Sequence, residues 1–338
     1  MKALVTGAAG FLGRHVVPAL LGRGVQVRAL VRPAAKLDDL GWPASVDVFR
    51  ADLRSSGDLE RAFEGVDVVI HLAMAVTGGE DGQLAAAAVG TERLLAAMAR
   101  TSCKRLVLAS SFSVYDWSRI TGTLDETSPL EEAPDLYARD GYTIAKSWQE
   151  RLVRRLSEQH GWDLTVLRPG FIWGRDHAQL AALGQQVGKL YVAVGPFTHI
   201  PMTHVENCAD LFALAATDPR ARGQTFNVVD GEGERVWTFL GEYLRGTGRG
   251  GVRIPIPYYP AYLMVSLAFA TIFRRNTKLP GLLIPSRFES RMKPLRYTNQ
   301  RVRDVLGWHP PLDYRECLAR TFGAPSPARR AERAVAAQ

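Results

Sequence analysis

Three residues in the middle of the chain have the chemistry to move a proton: Ser111, Tyr142 and Lys146. Tyr142-Thr143-Ile144-Ala145-Lys146 sets a phenol and an ammonium four residues apart, so on a helix they share one face. A free tyrosine has a pKa of about 10, too high for proton exchange near neutrality. A neighbouring ammonium favours the phenolate and is expected to bring that value down. Ser111 follows the apolar run Leu106–Ala109, where a strand would end. Its hydroxyl can donate to a carbonyl oxygen while Tyr142 supplies or removes the proton. Tyr-x-x-x-Lys alone equally describes a surface pair on an amphipathic helix, so the rest of the chain has to decide.

Near the N-terminus, Thr6-Gly7-Ala8-Ala9-Gly10-Phe11-Leu12-Gly13 lies between the apolar run Lys2–Thr6 and the helical pattern Phe11–Leu21. Gly7 permits a tight turn, Gly10 lets the backbone approach a pyrophosphate, and Gly13 permits close helix packing. The helix start adds unpaired N–H groups and a partial positive charge. A strand before and a helix after are the context a dinucleotide site requires. The second strand ends in Arg28-Ala29-Leu30-Val31-Arg32-Pro33, where an NAD site presents an acid to the ribose hydroxyls. A carboxylate would repel a 2′-phosphate, whereas Arg32 can donate a forked pair of hydrogen bonds to it, with Lys36 or Arg28 close enough to assist. NADP(H) is therefore expected over NAD(H); the alternative is a solvated Arg32. Asp52 and Leu53, after a third strand, are expected at the adenine end, and Leu72 and Ala73, after His71, beside the cofactor.

The elements that must position these residues alternate. Strands are expected at Lys2–Thr6, Val25–Val31, Val46–Phe49, Val66–Leu72, Leu106–Ala109 and Thr165–Leu167, with helices at Gln83–Thr101 and Tyr142–His160. Such crossovers imply an α/β fold, a doubly wound parallel sheet with helices on both faces. Residues 1–170 are expected to form the dinucleotide-binding domain, with 203–222 packing back onto it. Residues 171–324 are expected to be mostly the substrate-binding portion, and 325–338 a loose tail.

In this order the motifs resemble the extended short-chain dehydrogenase/reductases of the NAD-dependent epimerase/dehydratase superfamily. The likeness runs through the Thr6–Gly13 turn, Asp52-Leu53, His71-Leu72-Ala73, Ser111-Phe112-Ser113-Val114-Tyr115, Tyr142-x-x-x-Lys146, Leu167-Arg168-Pro169-Gly170 and Leu306-Gly307-Trp308-His309-Pro310. It implies a Rossmann-type domain with a smaller, mixed C-terminal substrate domain, and a catalytic set of Ser111, Tyr142 and Lys146. It also implies cofactor contacts at Thr6, Gly7, Ala9, Gly10, Phe11, Leu12, Gly13, Tyr142, Lys146 and Pro169.

Departures narrow the resemblance. Sugar-nucleotide dehydratases carry Asp-Glu after the catalytic hydroxyl residue, where this chain has Phe112 and Ser113. Nucleotide-sugar epimerases commonly have Asn where Phe171 stands. Ala87 likewise replaces a usual Asn before Ala88-Val89-Gly90-Thr91. By contrast His204–Ala209, Phe226–Gly231 and Trp237–Leu240 resemble the 3β-hydroxysteroid dehydrogenase and dihydroflavonol reductase branch. The resemblance thus implies an NADP(H)-dependent enzyme interconverting a ketone and a secondary alcohol on an apolar, cyclic substrate. A nucleotide-sugar epimerase with bound NAD is the alternative, and a cofactor-sensing protein without catalysis a third reading, which the intact Ser/Tyr/Lys set argues against.

Composition fits a globular protein: 338 residues, 46% hydrophobic and 22% charged. Cys103, Cys208 and Cys317 are widely spaced and odd in number, supporting neither a disulfide framework nor a zinc site, and no metal is expected. The apolar run at the start is too short for a signal peptide, so a cytoplasmic setting is expected, as is a homodimer. Of the net charge of +8, the whole resides between Thr271 and Arg303, where nine basic residues face Glu289 alone. No nucleic-acid motif accompanies that patch. An acidic ligand, an anionic membrane surface and a solvated face remain, and the sequence favours the last. Just before it, Ile254–Phe273 carries no charge, but Pro255, Pro257 and Pro260 leave a helix too short to span a bilayer. Burial over a substrate cleft is expected there, with peripheral membrane contact as the alternative.

Overall fold

The computed structural model describes residues 1–55, 57–74, 79–132, 140–273 and 281–323. The basic residues Arg274, Arg275 and Lys278 and the expected tail at 325–338 lie outside them. In chain order the first strands are β1 (Lys2–Thr6), β2 (Gln26–Val31), β3 (Asp47–Arg50), β4 (Val68–His71), β5 (Arg105–Ala109) and β6 (Thr123–Leu124). They are followed by β7 (Asp163–Pro169), β8 (Phe171–Trp173), β9 (Gln185–Val187), β10 (Leu190–Val194) and β11 (Met202–His204). The last are β12 (Thr225–Val228), β13 (Val252–Ile256) and β14 (Arg296–Tyr297). The helices are α1 (Gly13–Gly22), α2 (Gly79–Ala99), α3 (Gly141–His160), α4 (Val205–Thr217), α5 (Val236–Gly246), α6 (Tyr258–Ala268), α7 (Pro285–Met292), α8 (Gln300–Leu306) and α9 (Tyr314–Phe322).

Seven strands form one parallel sheet in the order β12-β7-β5-β4-β1-β2-β3. The order runs outward from β1 in one direction and from β4 in the other. This reversal opens a crevice at the carboxyl ends of β1 and β4, the place where such sheets bind ligands. Both faces are covered, which is why the central strands read as unbroken apolar runs. On β1, Ala3 and Val5 join the core under α1 and α4, with Val16, Val17, Leu211 and Phe212. Leu4 points the other way, to the core under α2 and α3, with Leu94, Met98, Leu152 and Val153.

The chain returns to this sheet after leaving it. Helix α4 packs against α1, and β12 pairs with β7, Phe226 opposite Leu167. The returning segment therefore extends to Val228, six residues beyond the expected limit of 222, and brings a strand the sequence pattern did not reveal. The late Leu306-Gly307-Trp308 motif also packs back: Leu306 and Trp308 join the α1/α4 core, and Trp308 Nε1 donates to Asp210 at 2.9 Å.

The smaller part holds a mixed sheet, β13-β10-β9, and its own core, where Trp173 packs edge-on against Phe239 at 5.0 Å. Its uncharged stretch is not buried as expected. Tyr258 and Ala261 of α6 pack with Phe288 and Met292 of α7, but Tyr259, Leu263, Met264 and Leu267 are 57–73% exposed. Among the described residues no helix is long and apolar enough to cross a membrane.

Candidate active site

At the end of β1 the backbone turns through Gly7 with φ +69°, a left-handed conformation that favours glycine. A Cβ on Gly7 would lie 2.9 Å from the Ala73 backbone, so the segment after β4 passes directly against the turn. The Gly10 N–H donates to the Gly7 carbonyl at 2.9 Å, and a Cβ on Gly13 would sit 2.3 Å from that same oxygen. Gly13 thus lets α1 begin flush on its own turn. Leu12, at the N-cap, offers no side-chain cap, so no N-cap side chain occupies the leading N–H groups of α1. Cradle and bare helix start together fit a dinucleotide pyrophosphate. Ala9 and Leu12 line the turn half-buried, and the Phe11 ring leans on His177 at 4.6 Å. Leu72 and Ala73 form the floor, the Leu72 N–H donating to the Thr6 carbonyl and the Ala73 N–H to Thr6 Oγ1, both at 3.3 Å. Pro169 ends β7, buried.

Arg32 and Lys36 stand exposed just past β2. Arg50 braces their loop by donating to the carbonyls of Pro33 and Ala35 at 2.8 and 3.1 Å. Asp52 is bound by Arg54, at 2.7 and 3.0 Å through the guanidinium, which with a lesser effect of Arg32 holds its carboxyl at about 2. Leu53 is buried beside it. Arg28 is not available to assist Arg32. It donates to the Asp47 carboxylate at 2.7 Å and to the carbonyls of Arg61, Ala62 and Glu64.

The proton-moving residues come from two elements. Ser111 follows β5, and its Oγ accepts from the Ser113 N–H at 3.1 Å. Asp140 caps α3 by accepting from the Thr143 N–H at 2.9 Å, and the helix then presents Tyr142, Lys146 and Glu150 at four-residue intervals. The Ser111 side chain lies near enough to the Tyr142 phenol to favour its phenolate. The expected lowering of the Tyr142 pKa does not occur in the protein alone. Burial pushes it up, Asp140 adds to the rise, and Ser111 only partly offsets them. The Lys146 ammonium is engaged elsewhere: it donates to the Ala109 carbonyl at 2.6 Å and to Gln149 Oε1 at 2.9 Å. Burial brings Lys146 down to about 8, against the opposing charge of Glu150.

Glu150 anchors this arrangement and was not singled out by sequence, although its place one turn beyond Lys146 was readable. Arg168 on β7 donates to both its oxygens, at 2.6 and 3.1 Å, Arg154 adds 2.8 and 3.0 Å contacts, and Ser110 donates from just past β5. Arg168 also donates to the Tyr115 hydroxyl at 3.0 Å, and Tyr115 to Asn227 of β12 at 2.6 Å. Burial disfavours the Glu150 carboxylate, but the Arg168 guanidinium outweighs it and holds the carboxyl at about 2.

Residues 3–228 match the NAD dependent epimerase/dehydratase family. The chain belongs to this family. It is an extended short-chain dehydrogenase/reductase and an NAD(P)-dependent enzyme. It is 27% identical over 350 residues to an Arabidopsis thaliana 3beta-hydroxysteroid-dehydrogenase/decarboxylase, isoform 2, covering 94% of this chain but only 61% of that protein. It is 32% identical over 250 residues to the Stigmatella aurantiaca 4-hydroxy-2-methyl-3-oxo-4-farnesyl-3,4-dihydroquinoline-1-oxide ketoreductase, covering 71% of each. A short-chain dehydrogenase/reductase superfamily protein from Agrobacterium tumefaciens, solved with bound NAD, superposes with a TM-score of 0.70 at 22% identity, over 100% of this chain and 99% of that one.

The Glu150–Arg168 pair makes a measurable demand on stability. Arg168→Met strands a buried carboxylate and is expected to cost about 3–5 kcal/mol in urea unfolding at pH 7. Because the Glu150 pKa is depressed in the folded state, its stabilisation is present above the ordinary carboxylate range and is lost as pH falls towards about 2. The gap between the variant and wild type should therefore narrow on acidification. A gap below about 1 kcal/mol at pH 7, or one that widens in acid, would remove the pair from this role.

Proposed function

We propose that this enzyme is an NADP(H)-dependent oxidoreductase interconverting a ketone and a secondary alcohol on an apolar, cyclic substrate. One observation carries the reading: Ser111, just past β5, acts on the Tyr142 phenol, and one helical turn on Lys146 is linked through Gln149 and His71 to Thr6 of the glycine turn. Thr6, Gly7, Ala9, Gly10, Phe11, Leu12 and Gly13 would hold the pyrophosphate, Asp52 and Leu53 the adenine end, and Leu72, Ala73 and Pro169 the nicotinamide half. When bound, the nicotinamide exchanges a hydride with the carbinol carbon. Ser111 Oγ donates to the substrate oxygen and orients it. Tyr142 gives its phenolic proton to that oxygen in the reductive direction and recovers it in the oxidative one. A phenol whose pKa is raised is protonated near neutrality, which suits the donor role. The relatives named for hydroxysteroid and quinoline-oxide ketone chemistry support an apolar ring substrate.

A panel of cyclic ketones and alcohols, followed at the reduced-nicotinamide absorbance, tests the reaction class. Net cofactor turnover is expected, and Tyr142→Phe should cut the rate at least ~10²-fold with cofactor affinity nearly unchanged. Lys146→Met should damage both. Inversion of a sugar carbon without net cofactor consumption would replace this reading with the nucleotide-sugar epimerase.

Cofactor choice rests on Arg32, exposed beyond β2 with Lys36 beside it. Arg32→Ala is expected to weaken NADPH by about one to two powers of ten, the worth of a forked charge-assisted pair, and to leave NADH almost unchanged. Equal losses for the two cofactors, or a wild-type preference for NADH, would sink the assignment.

The bare apolar face of α6 supports peripheral contact with an anionic membrane, since Arg274, Arg275 and Lys278 follow it closely in sequence. The protein should co-sediment with vesicles containing phosphatidylserine and not with purely zwitterionic ones, and Leu263→Glu should abolish this. Indifference to vesicles of either kind would leave the face to another role.

A further inference from the structure

We propose that Gln149 is a positioning residue that links the charge on Lys146 to the location of the proton on His71, and through His71 to the floor of the glycine turn. The inference rests on the reading that Lys146 belongs to the reacting set.

One buried chain of hydrogen bonds joins these residues. An ammonium only donates, so the amide atom 2.9 Å from Lys146 Nζ is the Gln149 oxygen. The amide nitrogen must then face the other way, where it lies 2.9 Å from Thr91 Oγ1 and 3.1 Å from His71 Nε2. Thr91 Oγ1 also lies 3.2 Å from His71 Nε2, so the amide donates to the threonine oxygen and Nε2 accepts from the amide or from the Thr91 hydroxyl it orients. The imidazole proton is thereby placed on Nδ1, 2.7 Å from Thr6 Oγ1. Thr6 accepts there and from the Ala73 N–H, so its own hydrogen is left to donate. Thr6, His71, Thr91, Gln149 and Lys146 are each at most 3% exposed, so water does not compete for these bonds.

A second proton on His71 would set an N–H against the Gln149 amide hydrogens or in competition with them for Thr91 Oγ1. Burial and the nearby Lys146 already hold the imidazole neutral, with a pKa of about 3. The groups facing Lys146 are Gln149 and Glu150 on its own helix, His71 from β4 and the Ala109 carbonyl from β5; Thr91 from α2 is uncharged. Loss of the Lys146 proton would let its amine accept as well as donate, and the amide would no longer be locked. The charge state of the lysine and the order of the pyrophosphate turn are therefore coupled.

The test uses the cofactor-free full chain, labelled with 15N-histidine and 13Cε-lysine. In wild type, His71, assigned by its loss in His71→Asn, should show a neutral ring protonated at Nδ1. In the near-isosteric Gln149→Glu a carboxylate cannot donate to Nε2, so the ring proton should move to Nε2 and the Lys146 titration should rise by roughly one unit or more. In Gln149→Leu the lysine loses an acceptor, and its titration should fall instead. NADPH affinity should drop about tenfold in Gln149→Glu. A residue that merely filled space would alter stability without moving either resonance. Wild-type His71 protonated at Nε2, or an unchanged ring and lysine titration in Gln149→Glu, would overturn the proposal. The wild-type tautomer decides the matter even where a variant fails to fold. Because no substrate is involved, the proposal and the reaction class fail separately: a full-rate Tyr142→Phe would strike only the latter.

Discussion

One buried ion pair sets where the chemistry can happen. Glu150 on α3 and Arg168 on β7 are both only 3% exposed in their side chains, and they fix the rotation and register of the helix on the sheet. Tyr142 and Lys146 lie two turns and one turn before Glu150 on the same face, so their reach is decided by this anchor rather than by local packing. Ser110 joins the same carboxylate from just past β5, so the segment carrying Ser111 is tied to the helix carrying Tyr142 through a shared partner. Such a pair contributes less net stability than its short distances suggest, because both charges give up water to form it. Its value is geometric: α3 rotated or slid against the sheet would leave a carboxylate buried and unpaired.

Burial also governs the titrating groups around the crevice, and it acts on each in the direction that favours the neutral form. It raises Tyr142, lowers Lys146 to about 8 and lowers His71 to about 3. The phenol and the ammonium, read from sequence as a directly interacting pair, instead have different partners, Ser111 for one and Ala109 with Gln149 for the other. Four-residue spacing puts two side chains on one face, but it does not say which way each one turns.

The legible part of the fold was the locally encoded part. Lys2–Thr6, the glycine turn and the following helix announce themselves within a few residues, because strand, turn and helix each carry their own pattern. The four-residue strand Thr225–Val228 does not: its polar Asn227 breaks the apolar run, and its place in the sheet depends on pairing with β7 some sixty residues earlier. Arg28 shows the same limit. Its position near Arg32 was readable, but its capture by Asp47 and three backbone carbonyls depends on elements the chain had yet to reach. Gln149 was invisible for a related reason, since the orientation of an amide is a property of its neighbours.

The late arrival of β12 bears on how the molecule comes into being. During synthesis β7 is complete by Pro169, yet the strand that covers its outer edge is not finished until Val228. Throughout that interval the nascent chain presents a bare row of N–H and C=O groups beside a strand reading Leu-Thr-Val-Leu. An edge of that kind invites pairing with other chains. The segment that builds the other half of the enzyme thus also closes off the cofactor half, and a ribosome stalled between the two would leave a sheet open to its neighbours.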